Sequence, residues 1–305
     1  MKLSNIADSL GLETIGDDTE ISHLGLCNKN DLDCNLLSYI TSSKFFKQIV
    51  NKKEIVCLVV SRNLYNEIGD LKHDCSYIIS DYPEDTFYKI HKFLCEQSNN
   101  LPPTVIGENC EIHPTSIIED GVSVGNFVKI GAFSIIHAGT TIGDNCTICS
   151  HSIIGSNGFQ ALQDKNGHSY NVPHAGGVTI GQNCYIGEFV NVAKSLFSGN
   201  VEIGNNVLID AHCQIAHNCK IGDNSRIAAG CILFGSSILK RNIWMSPGAM
   251  VMNKVIVADN THVCPNSFIM EDTEQGEKYI GTPAEKFMNF AKKQYKISKI
   301  LKYGK

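Results

Sequence analysis

The chain has 305 residues, a formal net charge of −5 and a pI of about 6.1. This balance gives no overall basic field, so nucleic acid is not an expected partner. No apolar run follows the first lysine, and no stretch approaches the length of about 20 apolar residues that spans a bilayer. We therefore predict a cytoplasmic protein with at most peripheral membrane contact.

Residues 1–100 predict a small α/β domain. The stretches "EIVCLVVS" and "SYIIS" have the composition of buried strands, and "DTFYKIHKFLCEQ" has that of a helix with Asp85 as its N-cap. The polar segment "QSNNLPPTV" carries two prolines and predicts a linker. The rest of the chain follows a different pattern.

A six-residue period of aliphatic side chains begins at Ile106. Steps of six from Ile106 reach Ile154 through nine aliphatic positions, and steps of six from Ile203 reach Ile269 through twelve. Neither a helix nor an alternating strand has this period. It is typical of a parallel β-helix, in which three hexapeptides form a triangular coil and each aliphatic points inward. We predict a mainly β prism over residues 101–275.

The period breaks between Ile154 and Ile180. The intervening segment is rich in Gly, Asn and His and has no repeat phase, which predicts an extruded loop over residues 155–177. The loop either closes over a neighbouring active site or is a plain surface excursion.

The stretch "IDAHCQIAHNCKIG", residues 209–222, holds the candidate catalytic residues. The period turns Ile209 and Ile215 inward, so Asp210 and His217 lie near turns and face outward. Gly235 follows His217 by one 18-residue coil, a rise of about 4.8 Å. An imidazole can accept a proton near neutral pH, a carboxylate can orient it, and a backbone N–H can hold an oxyanion. The spacing therefore predicts an acyl-transfer site.

Metal binding is the alternative interpretation of these residues. Asp210, His212 and His217 could form a ligand set, and Cys146 and Cys149 form one CxxC pair. A single CxxC is weak evidence for zinc, and the odd cysteine count of a chain without a signal peptide argues against disulfides. We predict no metal site and assign most cysteines to packing.

Residues 276–305 predict a C-terminal helical segment. Pro283 suits a first helical turn. From Lys286 to Lys305 there are seven lysines and no acidic residue. The segment is a capping helix, a basic docking surface for an acidic carrier protein or phosphates, or a membrane-surface helix, and these roles are compatible.

The repeat resembles that of the hexapeptide acyltransferase superfamily. This resemblance implies a left-handed β-helix and a homotrimer with active sites between prisms. "IDAHCQIAHNCKIGDNS" is similar to the active-site coil of the UDP-3-O-(3-hydroxyacyl)glucosamine N-acyltransferase family, and "IGSNGF", residues 154–159, to the segment that opens the loop of that family. The similarity extends over nearly the whole chain.

The family resemblance implies specific roles. His217 would be the general base, Asp210 would assist it, and the amide of Gly235 would hold the oxyanion. In the N-terminal domain a uracil would stack between two aromatic residues. Tyr39, Ser42 and Phe45 match the spacing of that site, and we expect Lys44 to meet a phosphate. Lys254 and His212 are two further predicted substrate-binding residues.

The chain also departs from the family. It has "NVAKSLF" over residues 191–197 where the family has "TIDRGAL", Lys254 where the family has a second histidine, and Ser42 where asparagine is common. "GTPAEK", residues 281–286, resembles the "G-x-PAK" segment of CoA-dependent sugar acetyltransferases.

Three functions follow from these patterns. The first is an N-acyltransferase that moves a 3-hydroxyacyl group from acyl carrier protein to the amine of a UDP-linked amino sugar, as in lipid A biosynthesis, with no cofactor besides the thioester donor. The second is an N-acyl- or acetyltransferase that uses acyl-CoA and a nucleotide-linked amino sugar for surface polysaccharide. The third is a non-catalytic β-helix that binds its ligand without turnover.

Overall fold

The computed structural model describes residues 1–27, 35–49, 51–69, 75–97, 101–164 and 166–303. They form two compact units, which are residues 1–99 with 159–175, and residues 100–158 with 176–305. The loop predicted over residues 155–177 thus contributes most of its length to the first unit.

The first unit contains a five-stranded sheet in the order β1-β5-β4-β3-β2. Strand β1 is antiparallel to β5, and the other neighbours are parallel. The strands are β1 (Glu13–Ile15), β2 (His23–Leu24), β3 (Leu36–Tyr39), β4 (Ile55–Val60) and β5 (Ser76–Ile79). The helices are α1 (Leu3–Leu10), α2 (Ser43–Ile49), α3 (Arg62–Ile68) and α4 (Pro83–Gln97). The two stretches predicted as buried strands form β4 and β5.

Helix α4 begins at Pro83, two residues before the predicted N-cap Asp85. Proline suits the first helical position because its fixed φ is helical and its missing N–H would lack an intrahelical partner. A short antiparallel hairpin, Ala161–Gln163 with Ser169–Asn171, belongs to the same unit. Nε2–H of His91 on α4 donates to the carbonyl of Pro173 at 2.8 Å, which ties the end of the hairpin segment to the helix.

The second unit is a triangular prism with three parallel β faces. The first face comprises Val105–Ile106, Ser123–Val124, Thr140–Ile142, Gly177–Ile180, Asn200–Ile203, Lys220–Ile221, Ile238–Leu239 and Ile256–Val257. The second comprises Glu111–Ile112, Lys129–Ile130, Thr147–Ile148, Tyr185–Ile186, Leu208–Ile209, Arg226–Ile227, Trp244–Met245, His262–Val263, Lys278–Ile280 and the antiparallel Glu285–Lys286. The third comprises Ile117–Ile118, Ile135–Ile136, Ile153–Ser156, Asn191–Ala193, Gln214–Ile215, Ile232–Leu233, Met250–Val251 and Phe268–Ile269. The predicted fold class, a mainly β, left-handed parallel β-helix of hexapeptide repeats, is confirmed.

The residues of the six-residue period form the core of the prism. From Val124 to Ile269 they are buried in one continuous column, and each such side chain contributes about 1.5–3 kcal/mol on burial. Ile106, at the first coil, is 47% exposed because no coil stacks below it. Most coils have 18 residues, but Thr147 pairs with Tyr185 and Tyr185 with Leu208, so these two coils have 38 and 23 residues. The extra residues leave the prism and return at the same edge.

Each edge of the prism turns through residues with a left-handed backbone, where φ is positive. Between the first and second faces most of these residues are asparagines, and amides of successive coils hydrogen-bond, as between Asn183 and Asn206 at 3.2 Å. We call this the asparagine edge. The aromatic edge, between the second and third faces, carries Phe133, His151, Phe189 and His212. The histidine edge, between the third and first faces, carries His217.

Helix α5, Phe287–Tyr303, follows the last strand of the prism. Lys286, just before it, forms an ion pair with Glu274. Several apolar side chains of α5 are exposed, namely Met288, Tyr295, Ile297, Ile300 and Leu301. Among the residues described, none of the helices combines the length and apolar character needed to cross a membrane.

Candidate active site

Three predicted site residues lie one above another on the histidine edge. The backbone N–H of Ser236 donates to the carbonyl of His217 at 2.8 Å, and that of Lys254 donates to the carbonyl of Gly235 at 3.1 Å. His217, Gly235 and Lys254 therefore occupy three consecutive coils. Lys254 is exposed.

The imidazole of His217 lies directly against Gly235. A Cβ built on Gly235 would stand 2.6 Å from Cε1 and 2.7 Å from Nε2 of the ring. Real Cβ atoms do not approach so closely, so any side chain at this position would displace the imidazole. The sequence predicted this vertical pair from an 18-residue spacing, and the structure brings the two residues into contact.

The N–H of Gly235 differs from its counterparts on the asparagine edge. There, the N–H at the same position of the repeat is capped by a side chain from the next coil: Asn126 donates to Asp144 at 2.7 Å, and Asn205 donates to Asp223 at 2.8 Å. For Gly235, no residue of the described part of the chain supplies such an acceptor. This donor is available to a ligand that lies beside the His217 ring.

Asn218 orients the imidazole, and sequence reasoning missed it. Its Oδ1 lies 2.9 Å from Nδ1 of His217 and also accepts the backbone N–H of Leu196 at 3.1 Å. Because an amide oxygen only accepts hydrogen bonds, Nδ1 carries the ring hydrogen, and Nε2 is the nitrogen of this tautomer that can accept a proton. The only sequence signal was that Asn218 directly follows His217 at a turn, where asparagine favours a left-handed backbone.

Asp210 lies on a different edge from His217. It follows the strand Leu208–Ile209 of the second face, so it stands on the aromatic edge, and its Oδ1 accepts the N–H of Ala211 at 2.8 Å. The whole third face separates it from His217 within the coil. Since a strand rises about 3.3 Å per residue, the two side chains of one chain do not meet. Its predicted assistance to His217 therefore requires a second copy of the chain and stays a prediction.

The aromatic edge carries four stacked rings. Successive centroids of Phe133, His151, Phe189 and His212 are 5.1, 4.9 and 5.0 Å apart, with interplanar angles of 22°, 6° and 4°. Phe133 is 57% and Phe189 52% exposed. Histidine is enriched at positive φ and phenylalanine is not, so Phe133 and Phe189 are the unusual residues of this stack. His212, predicted in substrate binding, is the top ring.

The structure separates the residues of the alternative metal site. Asp210 and His212 stand on the aromatic edge, whereas His217 stands on the histidine edge. Within the described residues, no three His, Cys, Asp or Glu side chains converge to hold a metal ion. Cys146 is fully buried, and its thiol donates to the carbonyl of Gly181 at 3.0 Å, as a packed core cysteine would.

Tyr39, a predicted nucleotide contact, packs within the first unit. Its hydroxyl donates to Glu84 at 2.8 Å, and its ring centroid lies 5.0 Å from that of Phe87. Burial, together with the Glu84 carboxylate, holds the pKa of Tyr39 well above its ordinary value. The tyrosine therefore keeps its proton and its bond to Glu84.

The other predicted nucleotide contacts cluster around helix α2. The carbonyl of Ser42 accepts the N–H of Phe45 at 3.1 Å at the start of the helix. Phe45 is 43% exposed and Lys44 is exposed. The described ring contacts of Tyr39 are with helix α4, so its pairing with Phe45 around a uracil stays a prediction.

Three segments of the chain match the family described as bacterial transferase hexapeptide (six repeats), over residues 103–138, 121–156 and 200–235. They include the coil of His217 and extend to Gly235. The chain therefore carries the transferase hexapeptide repeat.

Two groups of curated relatives are similar to the chain. An acyl-(acyl-carrier-protein)–UDP-N-acetylglucosamine O-acyltransferase of Chlamydia caviae is 38% identical over 119 residues, which are 39% of this chain and 40% of the relative. A UDP-3-O-acylglucosamine N-acyltransferase of Coxiella burnetii is 28% identical over 210 residues, which are 60% of this chain and 59% of the relative. The chain thus spans between two fifths and three fifths of the length of these relatives.

Among solved structures, the UDP-N-acetylglucosamine acyltransferase of Campylobacter jejuni matches with a TM-score of 0.46 and 25% identity, covering 58% of this chain and 73% of that one. The resemblance to hexapeptide acyltransferases that the sequence indicated is thus found in the repeat family and in both groups of relatives.

Proposed function

We propose that the chain is an acyltransferase that moves a 3-hydroxyacyl group from acyl carrier protein to the amine of a UDP-linked amino sugar. The observation that carries the proposal is the contact of His217 with Gly235, whose N–H is open to a ligand. A proton acceptor and an oxyanion donor one coil apart can act on the two partners of one acyl transfer.

The reaction follows from these groups. Nε2 of His217 takes a proton from the amine as the nitrogen attacks the thioester carbonyl. The N–H of Gly235 donates to the oxyanion of the tetrahedral intermediate. When the intermediate collapses, the carbon–sulfur bond breaks and the imidazolium returns the proton to the departing thiolate. Asn218 holds the imidazole in the tautomer that this sequence needs.

The direct test is the mass of the product. The protein is incubated with 3-hydroxyacyl carrier protein and a UDP-linked 2-amino sugar, and the amide product is weighed. We expect wild-type turnover and a loss of at least 100-fold in His217→Ala. Turnover of His217→Ala within tenfold of wild type would refute the assignment of the base. If the wild-type protein binds the sugar nucleotide but shows no turnover, a non-catalytic β-helix is favoured.

The location of Asp210 supports a homotrimer as the active form. Asp210 and His212 stand on the aromatic edge and His217 on the histidine edge, so the aromatic edge of one copy must face the histidine edge of the next to unite them. In a mixture of His217→Ala and Asp210→Ala chains, some interfaces then combine an intact His217 with an intact Asp210. Recovery of activity on refolding the two variants together supports this arrangement, and no recovery contradicts it.

The aromatic edge supports a long acyl donor. Its four rings extend over three coil spacings of about 5 Å each, a length that suits an extended hydrocarbon chain better than an acetyl group. The lysines of α5 offer a basic surface to an acidic carrier protein. Parallel assays with acyl carrier protein and acyl-CoA of equal chain length identify the donor, and transfer from CoA alone would favour the short-chain alternative.

O-acylation is a second candidate because the Chlamydia caviae relative, at 38% identity, is an O-acyltransferase. The same base can activate a sugar hydroxyl. The N-acyltransferase of Coxiella burnetii matches over a larger share of both chains, which favours the amine. The two are distinguished by offering UDP-N-acetylglucosamine and a UDP-linked 2-amino sugar separately. UDP-N-acetylglucosamine has no free amine, so an acylated product from it must be an ester and would indicate O-acylation.

A further inference from the structure

An imidazole–carboxylate pair lies on the histidine edge, nearer the start of the prism than His217. Nδ1 of His137 lies 2.9 Å from Oε1 of Glu119, whose Oε2 accepts the backbone N–H of Ala138 at 2.9 Å. The Ala138 N–H, followed by the His137 imidazole, holds the pKa of Glu119 below its ordinary value. Because an ionised carboxylate only accepts, His137 donates through Nδ1 and presents Nε2 away from Glu119.

A half-buried lysine stands two coils above this pair. The register of the third face sets Asn191 against Gln214, which puts Lys194 one coil below His217. The backbone N–H of Lys194 donates to the carbonyl of Ser156 at 2.9 Å. His137 lies one coil below Ser156, since Ile136 pairs with Ile154.

Lys194 forms no close ion pair with a carboxylate of the described residues. Other lysines of the prism form ion pairs with a carboxylate from a neighbouring coil, as Lys129 does with Glu111 at 2.8 Å and Lys220 with Glu202 at 3.2 Å. Lys194 has no such partner within 4.0 Å among the residues that the structure describes, although it is only partly exposed. Its attraction to the Glu119 carboxylate acts only at longer range, and a partly desolvated ammonium group favours a further anionic ligand.

The wall of the coil between His137 and Lys194 carries small residues up to the point where the loop leaves the prism. At this edge it contributes Gly155, which has no side chain, and Ser156, whose hydroxyl is already bonded to Asn191 at 2.7 Å. Two coils separate His137 from Lys194 by about 9.6 Å along the prism. A long lysine side chain and an imidazole can both reach one tetrahedral anion placed between them.

We propose that His137 and Lys194 bind a phosphoryl group of a substrate of the proposed reaction, with Glu119 as the residue that positions His137. Lys194 supplies a fixed positive charge. Nε2 of His137, when protonated, donates to a phosphoryl oxygen, and the Glu119 carboxylate stabilises the imidazolium from behind. The inference rests on the proposed function only for its choice of substrate.

Two substrates could supply the phosphoryl group. In a nucleotide-linked 2-amino sugar, the amine carbon is only a few bonds from the first phosphorus, so an amine at His217 leaves the diphosphate near Lys194. In a pantetheine thioester, a long arm separates the phosphate from the reacting carbonyl. The short distance of one coil between Lys194 and His217 favours the nucleotide sugar.

Calorimetric titration of the full chain tests the inference without turnover. The ligands are UDP, uridine and coenzyme A, and the variants are Lys194→Gln and His137→Gln. The matched controls are Lys220→Gln, which removes a prism lysine with a carboxylate partner, and His113→Gln, which removes a histidine that bonds Thr115. Melting curves check that each variant is folded.

We expect Lys194→Gln and His137→Gln to weaken UDP binding at least tenfold, to leave uridine binding unchanged, and to leave both controls within twofold of wild type. The same loss for coenzyme A instead of UDP would support the phosphoryl site and assign it to the donor. Wild-type affinity of both variants for both phosphorylated ligands would overturn the inference, as would an equal loss of uridine binding. Because the titration measures binding and not turnover, this result does not depend on the proposed reaction: a His217→Ala chain without transfer activity should still bind UDP at this site.

Discussion

The ring of His217 occupies the space that a side chain on Gly235 would need: a Cβ there would lie 2.6 Å from Cε1 and 2.7 Å from Nε2. The glycine is therefore required by contact with the imidazole, and its own N–H is the donor beside that imidazole. One residue both permits the position of the base and complements it.

Gly235→Ala tests this contact. The added methyl group must push the imidazole away from its position, so kcat should fall at least 100-fold while the prism remains folded, because the change affects one corner of the prism and not the core column. Steady-state kinetics and circular dichroism measure the two effects. Combining Gly235→Ala with His217→Ala should add little to the loss of the single variants, and a fully additive loss would indicate that the residues act independently.

Asn218 offers a sharper test of orientation. Asn218→Ala removes the acceptor of Nδ1–H and also the acceptor of the Leu196 N–H, so we expect kcat to fall by about 10- to 100-fold with a modest loss of stability. Asn218→Asp keeps an acceptor oxygen at the same place and should restore most of the activity. Equal losses in the two variants would argue against an orienting role.

The first unit should be sensitive to acid through His91. Burial lowers the pKa of His91 below its ordinary value, so the unfolded state binds a proton more readily than the folded state. The stabilisation is complete above the unfolded pKa of about 6.5 and declines as the pH falls through that value. As the pH is lowered from about 8 to about 5, calorimetric melting should show the transition of this unit moving to lower temperature.

His91→Gln is the matched variant for this acid effect. The glutamine amide can donate to the Pro173 carbonyl but does not titrate, so the pH dependence of melting should become weaker. His113→Gln, at a histidine of the prism, should leave it unchanged. An identical pH dependence in His91→Gln and wild type would contradict the explanation.

Phe189→Asn examines the aromatic edge. Asparagine adopts a left-handed backbone more readily than phenylalanine, so the melting temperature should not fall by more than a few degrees even though two ring contacts are lost. If the rings bind the acyl chain, kcat/KM should decrease for long-chain donors and change little for acetyl donors. A uniform decrease for all chain lengths would contradict acyl-chain binding by these rings, and sedimentation would reveal a change in assembly.

The six-residue period made most of the prism predictable, because a side chain that points inward must be apolar in every coil. It could not reveal the end of the column, where Ile106 is exposed, since the period describes one chain and not what stacks on it. The period also could not show that the 23-residue coil has five extra residues, because in a six-residue repeat an insertion of five gives the same phase as a slip of one residue.

The contact of His217 with Gly235 was predictable because both residues share one phase of the 18-residue coil. Asp210 is close to His217 in sequence, but seven positions along a triangular coil lead to the next edge, so the predicted pairing of the two residues depends on a second copy of the chain and stays a prediction. Glu119 and His137 differ by one coil, as His217 and Gly235 do, so the same spacing could have found them. The partners of Tyr39 depend on long-range packing in the first unit and leave no local signal.

The two oversized coils show where this chain can change length: extra residues are accommodated where the chain leaves an edge of the prism, and not within its wall. An insertion of six residues that stayed within the wall would move every later side chain to the next edge, and between Lys194 and His217 it would take the imidazole of His217 away from the lysine below it. Segments that leave an edge and return to it carry no such penalty, whatever their number of residues. Natural variants of this protein should therefore differ in the length of these excursions, or by whole turns of the prism, and seldom by a single hexapeptide.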